Sequence, residues 1–159
     1  SPINRYLQTP YSGSKEVDCM GAGCVVWRRA VFDAGYRFQP FFWGHGVLED
    51  VHLSLRVRQS WKLLESGDAK CIHLHSEHGR ESPKTTSAKT AINYRFVFID
   101  IVPHRSLKQE LRFWYVQIVQ LLIFIIAAIR KPQKNEWLWV IGKIHGILAS
   151  LKLKRTNNE

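Results

Sequence analysis

The sequence predicts a mixed α/β unit followed by basic, apolar helices of amphipathic, membrane-associated type. Three observations carry this expectation. A glycine-containing apolar run leads into a short helix. A second helix opens on two adjacent carboxylates and is followed by short strand-like runs. The most apolar stretch lies inside the most basic third of the chain. With 159 residues, 45% of them apolar and 12% aromatic, there is material for one ordinary core and an appendage.

Residues 1–16 are polar and punctuated by Pro2, Pro10 and Gly13, which predicts a loop or linker. The opening Ser-Pro-Ile-Asn-Arg has neither a start methionine nor a signal-peptide pattern, so it reads as a boundary with an N-terminal half upstream. Residues 17–27 place Val17, Cys19, Met20, Ala22, Cys24, Val25, Val26 and Trp27 around Gly21 and Gly23. This predicts a buried strand whose backbone comes close to a neighbour or ligand. Residues 28–34 fit a short helix closed by Gly35.

Residues 38–46 form an aromatic loop, broken by Pro40, Gly44 and Gly46, that presents Glu49 and Asp50. A helix running from that pair to near Trp61 puts both carboxylates at its positive end, where backbone N–H groups favour the ionised form. Residues 62–65 and 69–74 are strand-like on either side of a Ser66-Gly67-Asp68 turn. His73, His75 and His78 follow, then a polar loop to Lys89 and a helix over 90–102 stopped by Pro103.

Residues 111–129 are the longest apolar stretch, interrupted by Gln117 and Gln120 and flanked by Arg112 and Arg130-Lys131. Nineteen residues is the threshold for spanning a bilayer. Residues 137–153 pair Trp137, Trp139, Ile141, Ile144 and Leu148 with Lys143 and Lys152, as an interfacial helix does. From Arg105 onward ten Lys or Arg stand against three acids, within a formal charge of +10. Basic and apolar character together point to a membrane surface, with peripheral or monotopic docking at the cytoplasmic face. Nucleic acid is set aside as a partner, because the basic residues bracket apolar segments instead of alternating with exposed aromatics. Cys19, Cys24 and Cys71 have no C-x-x-C spacing and are expected as reduced, mostly buried thiols. The expected divisions are thus 1–16, a linker; 17–102, a catalytic part; and 103–159, a membrane-associated helical region.

The order of features is more specific than any one of them: a glycine-containing strand, Arg28-Arg29, Phe41-Phe42, Glu49-Asp50 heading a helix with Arg56, then a strand ending in His73 or His75. In this order residues 17–82 resemble the acceptor-side half of family 2 inverting glycosyltransferases of the GT-A fold, an α/β fold with a mixed sheet. The resemblance extends more loosely to Asn93-Tyr94-Arg95 and the apolar tail.

The resemblance implies transfer of a sugar from a nucleotide-sugar donor to a polysaccharide or lipid-linked glycan acceptor. Asp50 would be the base that takes the acceptor hydroxyl proton, with Glu49 orienting the acceptor. Gly21, Gly23, Phe42, Trp43 and Arg56 would line the substrate site. A divalent cation, Mg²⁺ or Mn²⁺, would neutralise the departing pyrophosphate, with His73 or His75 as a supplementary ligand. Arg28 and Arg29 are expected as solvated helix starts, and Phe41, Phe42 and Trp43 as part core and part acceptor wall.

Two departures and two rivals accompany this expectation. No Asp-x-Asp metal motif occurs in the 159 residues, so the donor-binding half is expected outside them and the chain alone is expected to be inactive. His52 and Trp61 stand where many relatives carry an acid and a glycine. The first rival is a non-catalytic remnant acting as a membrane-anchoring or scaffold module, which the missing Asp-x-Asp favours. The second is a metallohydrolase built on His73, His75 and Glu77.

Overall fold

A computed structural model describes residues 11–21, 23–42, 44, 46–69 and 81–153. Within them the chain is largely helical with one small sheet. The order is β1 (Ser14–Glu16), α1 (Arg29–Asp33), α2 (Glu49–Val57), β2 (Leu64–Ser66), α3 (Pro83–Ile101), α4 (Leu107–Arg130) and α5 (Lys134–Ser150).

The sheet is a two-stranded antiparallel ribbon in which Ser14, Lys15 and Glu16 face Ser66, Glu65 and Leu64. Among the described residues of 17–27 the expected strand is not formed. The Val17 N–H reaches the Leu63 carbonyl at 3.0 Å, and the ladder ends there. The next backbone anchor is the Met20 N–H, which donates to the Ser54 hydroxyl on α2 at 3.1 Å instead of to a strand. Apolar composition in this segment therefore serves packing across α2, and Val26 is left 93% exposed. Cys19 and Cys24 are exposed free thiols, which corrects the expectation of burial; Cys71 lies outside the described residues.

Val31, Leu53, Val57 and Leu63 form the core of this first part, with Met20, Trp27 and Trp61 packed against it. The helix expected over residues 28–34 is α1, and Gly35 at φ +89° ends it as a left-handed cap.

Helix α3 begins seven residues before the expected start at Thr90. Ser82 caps it by accepting from the Thr85 N–H at 3.2 Å, and Pro83 occupies the first helical position. The polar composition of residues 82–89 belongs to a capped first turn and a polar helix face, not to a loop. Helix α4 starts in a capping box: the Gln109 N–H donates to Ser106 Oγ at 3.3 Å, and the Ser106 N–H donates to Gln109 Oε1 at 2.8 Å. Arg105 secures the turn before it by donating to the carbonyls of Ile99 and Val102 and pairing with Glu110.

Helix α5 packs chiefly on α3 and secondarily on α4. Gly142 lies against the Lys84 backbone and Gly146 against the Ala88 backbone. Both contacts advance by four residues, so α3 and α5 run parallel. A Cβ on Gly142 would sit 2.2 Å from the Lys84 carbonyl oxygen, and one on Gly146 would sit 2.5 Å from that of Ala88. The small-residue seam is what lets the backbones approach.

The outward faces of α4 and α5 are apolar. Leu107, Leu111, Tyr115, Ile118, Leu122, Ile126 and Ile129 recur every three or four residues along α4, each at least half exposed. Trp137, Ile141, Ile144, Leu148 and Leu151 repeat the pattern on α5. Helix α4 is about 36 Å long. By length and composition it is the one described helix that could cross a membrane.

Candidate active site at the head of α2

The loop before α2 is wound tightly. Gly44 and Gly46 take φ of +70° and +56°, and Leu48, at φ +71°, is the one non-glycine described residue in the left-handed region. That conformation is strained for a leucine and is sustained by surrounding contacts. The Glu49 N–H closes the turn on the Gly46 carbonyl at 2.9 Å. Glycine suits position 46 because its φ is strained for a residue with a side chain, and a Cβ there would also push the Glu49 carboxylate aside.

Glu49 and Asp50 fill the first turn of α2, as the sequence predicts. The N-cap residue Leu48 offers no side-chain cap, and the acidic pair sits at the positive end of the helix. Asp50 Oδ1 accepts from the Val51 N–H at 2.8 Å. Its Oδ2 would lie 3.8 Å from a Cβ placed on Gly21, so residues 17–21 fold back across α2 to bring Gly21 beside the carboxylate. Both acids are half-buried, which keeps them reachable. Gly23 is exposed, and Arg56 is half-buried in the last turn of the same helix.

One face of α3 holds this loop and helix in place. Lys89, Asn93, Phe96 and Asp100 are spaced by four, three and four residues and so share that face. Lys89 pairs with Glu81 against Gly44. Asn93 Nδ2 donates to the Val47 carbonyl at 2.7 Å, next to strained Leu48. Phe96 stacks on Phe41 with ring centroids 3.9 Å apart and meets Phe42 edge-on at 5.4 Å. Asp100 Oδ2 lies 2.8 Å from His52 Nε2.

Phe42 is therefore a core residue: 7% exposed, it packs on Phe96 and on the His52 ring. This is the core part of the role expected for the aromatic loop. Arg28 and Arg29 are exposed, with Arg29 paired to Asp33 at 3.7 Å on the surface of α1.

His52, noted in the sequence only as a departure from the relatives' acid, is a buried link between α2 and α3. It is fully buried, its Nε2 is bonded to Asp100, and its Nδ1 has no partner among the described residues. Burial lowers its pKa below the ordinary histidine value, against the raising effect of the Asp100 hydrogen bond, and Arg56 adds to the lowering. The available signal was its position: a polar residue three places after Glu49, on the face of α2 that must pack.

Trp43, His73, His75 and His78, with Glu77, lie outside the described residues. Among the described residues no group of three or more His, Cys, Asp or Glu is arranged to hold a metal ion. The site can thus offer two adjacent carboxylates, set at a helix N-terminus after a tightly wound loop, to a hydroxyl-bearing molecule. Comparison with protein-family models, with curated proteins and with solved structures found no match.

Proposed function

We propose that this chain is the acceptor-side part of an inverting glycosyltransferase of GT-A type, which moves a sugar from a nucleotide-sugar donor to a glycan or lipid-linked acceptor at a membrane surface. The single observation that carries the reading is the Glu49-Asp50 pair at the head of a braced helix, with Gly21 against Asp50. Asp50 is the base: its carboxylate takes the proton of the acceptor hydroxyl as that oxygen attacks the anomeric carbon and the nucleotide departs from the opposite side. Glu49, folded over Gly46, orients the acceptor.

A divalent cation would offset the charge developing on the leaving pyrophosphate. Its principal ligands belong, in this reading, to a donor-binding half outside the 159 residues. Membrane docking rests on the outward apolar stripes of α4 and α5, bracketed by Lys108 and Arg112 at one end and Arg130, Lys131 and Lys134 at the other. Cations at both ends suit helices lying in the plane of an anionic leaflet, at the cytoplasmic face.

The test is Asp50→Asn in an enzyme joined to its donor-binding half and supplied with a panel of nucleotide sugars. Turnover is expected to fall about 10²- to 10⁴-fold with donor affinity retained. Near-full turnover would remove Asp50 as the base. Absence of transfer by the parent enzyme with every donor would favour the non-catalytic membrane-anchoring module.

A further inference from the structure

The interior of the α3–α4–α5 bundle holds a charge that its own residues do not neutralise. Lys143 is 2% exposed, and its ammonium donates to Gln117 Oε1 and Gln120 Oε1, both at 2.6 Å. These two acceptors are neutral amides, and no ion pair among the described residues includes Lys143. Desolvating an ammonium without an anion is costly, and replacing such a group by an apolar one of similar shape is often neutral or stabilising. A lysine retained in this setting needs a reason beyond packing. Burial pulls its pKa down to about 8, with no carboxylate to hold it up.

A cavity of about 310 Å³ has Lys143 and Gln120 among its lining residues. Its surface is mostly apolar, with Phe124, Trp139 and exposed Ile123 in the lining, and Thr86 and Tyr94 on α3 and Gln120 on α4 supply the few polar groups. A second cavity of about 390 Å³ shares Tyr94 and Gln120 and extends along the α3–α4 seam to Arg112. The groove thus combines a buried cation, hydroxyl donors and an opening beside the apolar outer surface.

We infer that the α3–α4–α5 groove binds the phosphate headgroup of an anionic membrane lipid, with Lys143 beneath the phosphate, Thr86 and Tyr94 donating to its oxygens, and the acyl chains leaving past Ile123. This rests on the membrane-docking part of the proposed function and not on glycosyl transfer. A phosphate monoester suits the site because its charge offsets the ammonium and its several oxygens can accept from the wall hydroxyls together. A zwitterionic choline headgroup would bring a second cation toward Lys143.

The experiment titrates the full chain in a neutral detergent with dihexanoyl phosphatidic acid, dihexanoyl phosphatidylcholine and inorganic phosphate, following tryptophan fluorescence and checking by calorimetry. Saturable binding of the phosphatidic acid is expected, with the other two at least about tenfold weaker. Lys143→Met should lose about tenfold or more in phosphatidic acid affinity. Lys62→Met removes the same charge from the exposed surface beside the ribbon and should change it by less than about twofold. If Lys143→Met does not fold, Thr86→Trp decides, because it fills the groove while keeping the charge and should abolish binding.

Unchanged affinity in Lys143→Met or in Thr86→Trp overturns the site. So does phosphatidylcholine binding as tightly as phosphatidic acid, while equal binding of inorganic phosphate makes the occupant a free anion and overturns the lipid assignment. Vesicle docking without headgroup preference would leave membrane association standing and remove only this pocket.

Discussion

The part built on α1, α2 and the ribbon and the bundle of α3, α4 and α5 distribute polarity in opposite ways. In the first, Val31, Leu53, Val57 and Leu63 are inside, and the charged pairs Lys15–Glu65, Arg58–Asp18 and Lys62–Glu16 are on the surface. In the second, the buried set includes Lys143, Gln117, Ser87 and Ser150 beside Ala91, Val97, Phe113 and Val140, while several leucines and isoleucines and Trp137 point outward. The first is the arrangement water selects, since apolar area removed from water is the main gain on folding. The second gains little from burying its apolar side chains, because most of them are not buried. Its helices are joined by close backbone approach at Gly142 and Gly146 and by polar bonds such as Ser87 Oγ to the Trp139 carbonyl at 2.8 Å. Helix α3 belongs to both parts: one of its faces braces the loop and helix that carry the acidic pair, while small residues elsewhere on it receive α5.

The comparison can be broken at the seam, at the surface and at the junction. The largest effect is expected from Gly146→Val, whose added atoms meet the Ala88 carbonyl and the Ala91 side chain. Loss of about 3 kcal/mol of stability should appear in denaturant unfolding. A smaller loss, within about 0.5 kcal/mol, would mean that the seam is not what joins α5 to α3.

Leu122→Ser separates folding from docking. Leucine 122 is 51% exposed, so stability should move by less than about 0.5 kcal/mol. Vesicle binding should nonetheless weaken about tenfold, the worth of one leucine withdrawn from lipid. Equal vesicle binding by the parent chain and Leu122→Ser would show that the α4 stripe does not face the membrane.

The smallest effect is expected at the junction. His52 has a lowered pKa when folded, so at low pH the unfolded chain binds the extra proton more readily than the folded one does. Stability should therefore be insensitive to this group above the unfolded value of about 6.5, and should decline as the pH falls below it toward the folded pKa. His52→Gln should remove that component of the pH slope. An unchanged slope would mean that another group titrates there. Glu110 adds a separate acid dependence: burial alone would raise its pKa, and hydrogen bonds from Arg95 and Arg105 more than offset that. Its contribution is present above the unfolded value near 4.5 and is lost as the pH falls through the lower folded pKa.

Much of the helical content was legible because it rests on local signals. The carboxylate pair marks the start of α2, Gly35 ends α1, Pro103 follows the end of α3, and the apolar periodicities over 111–129 and 137–153 correspond to α4 and α5. The start of α3 was also legible in principle, since Ser82-Pro83 is a cap followed by a first-turn proline, but the Ser, Thr and Lys content after it was read as loop. Residues 17–27 were misread for a different reason. Their apolar pattern fits a strand equally well, and only Ser54, thirty-four residues away from Met20, diverts their backbone from pairing. Phe42 and His52 show the same limit. Phe96 and Asp100, far along the chain, make one a core ring and the other a buried link.

The sequence by itself determined which residues carry charge at the head of α2, where the long helices run and which of their residues are apolar, because capping, periodicity and composition act within a few residues. Only the tertiary structure decided which way those faces point. Close backbone approach at two glycines seated α5 on α3 and left apolar stripes of α4 and α5 outward, and the Asn93 and Asp100 contacts held the loop and helix that carry the acidic pair to α3. Those outcomes depend on which surfaces meet across long sequence separations, and on how closely their backbones can approach.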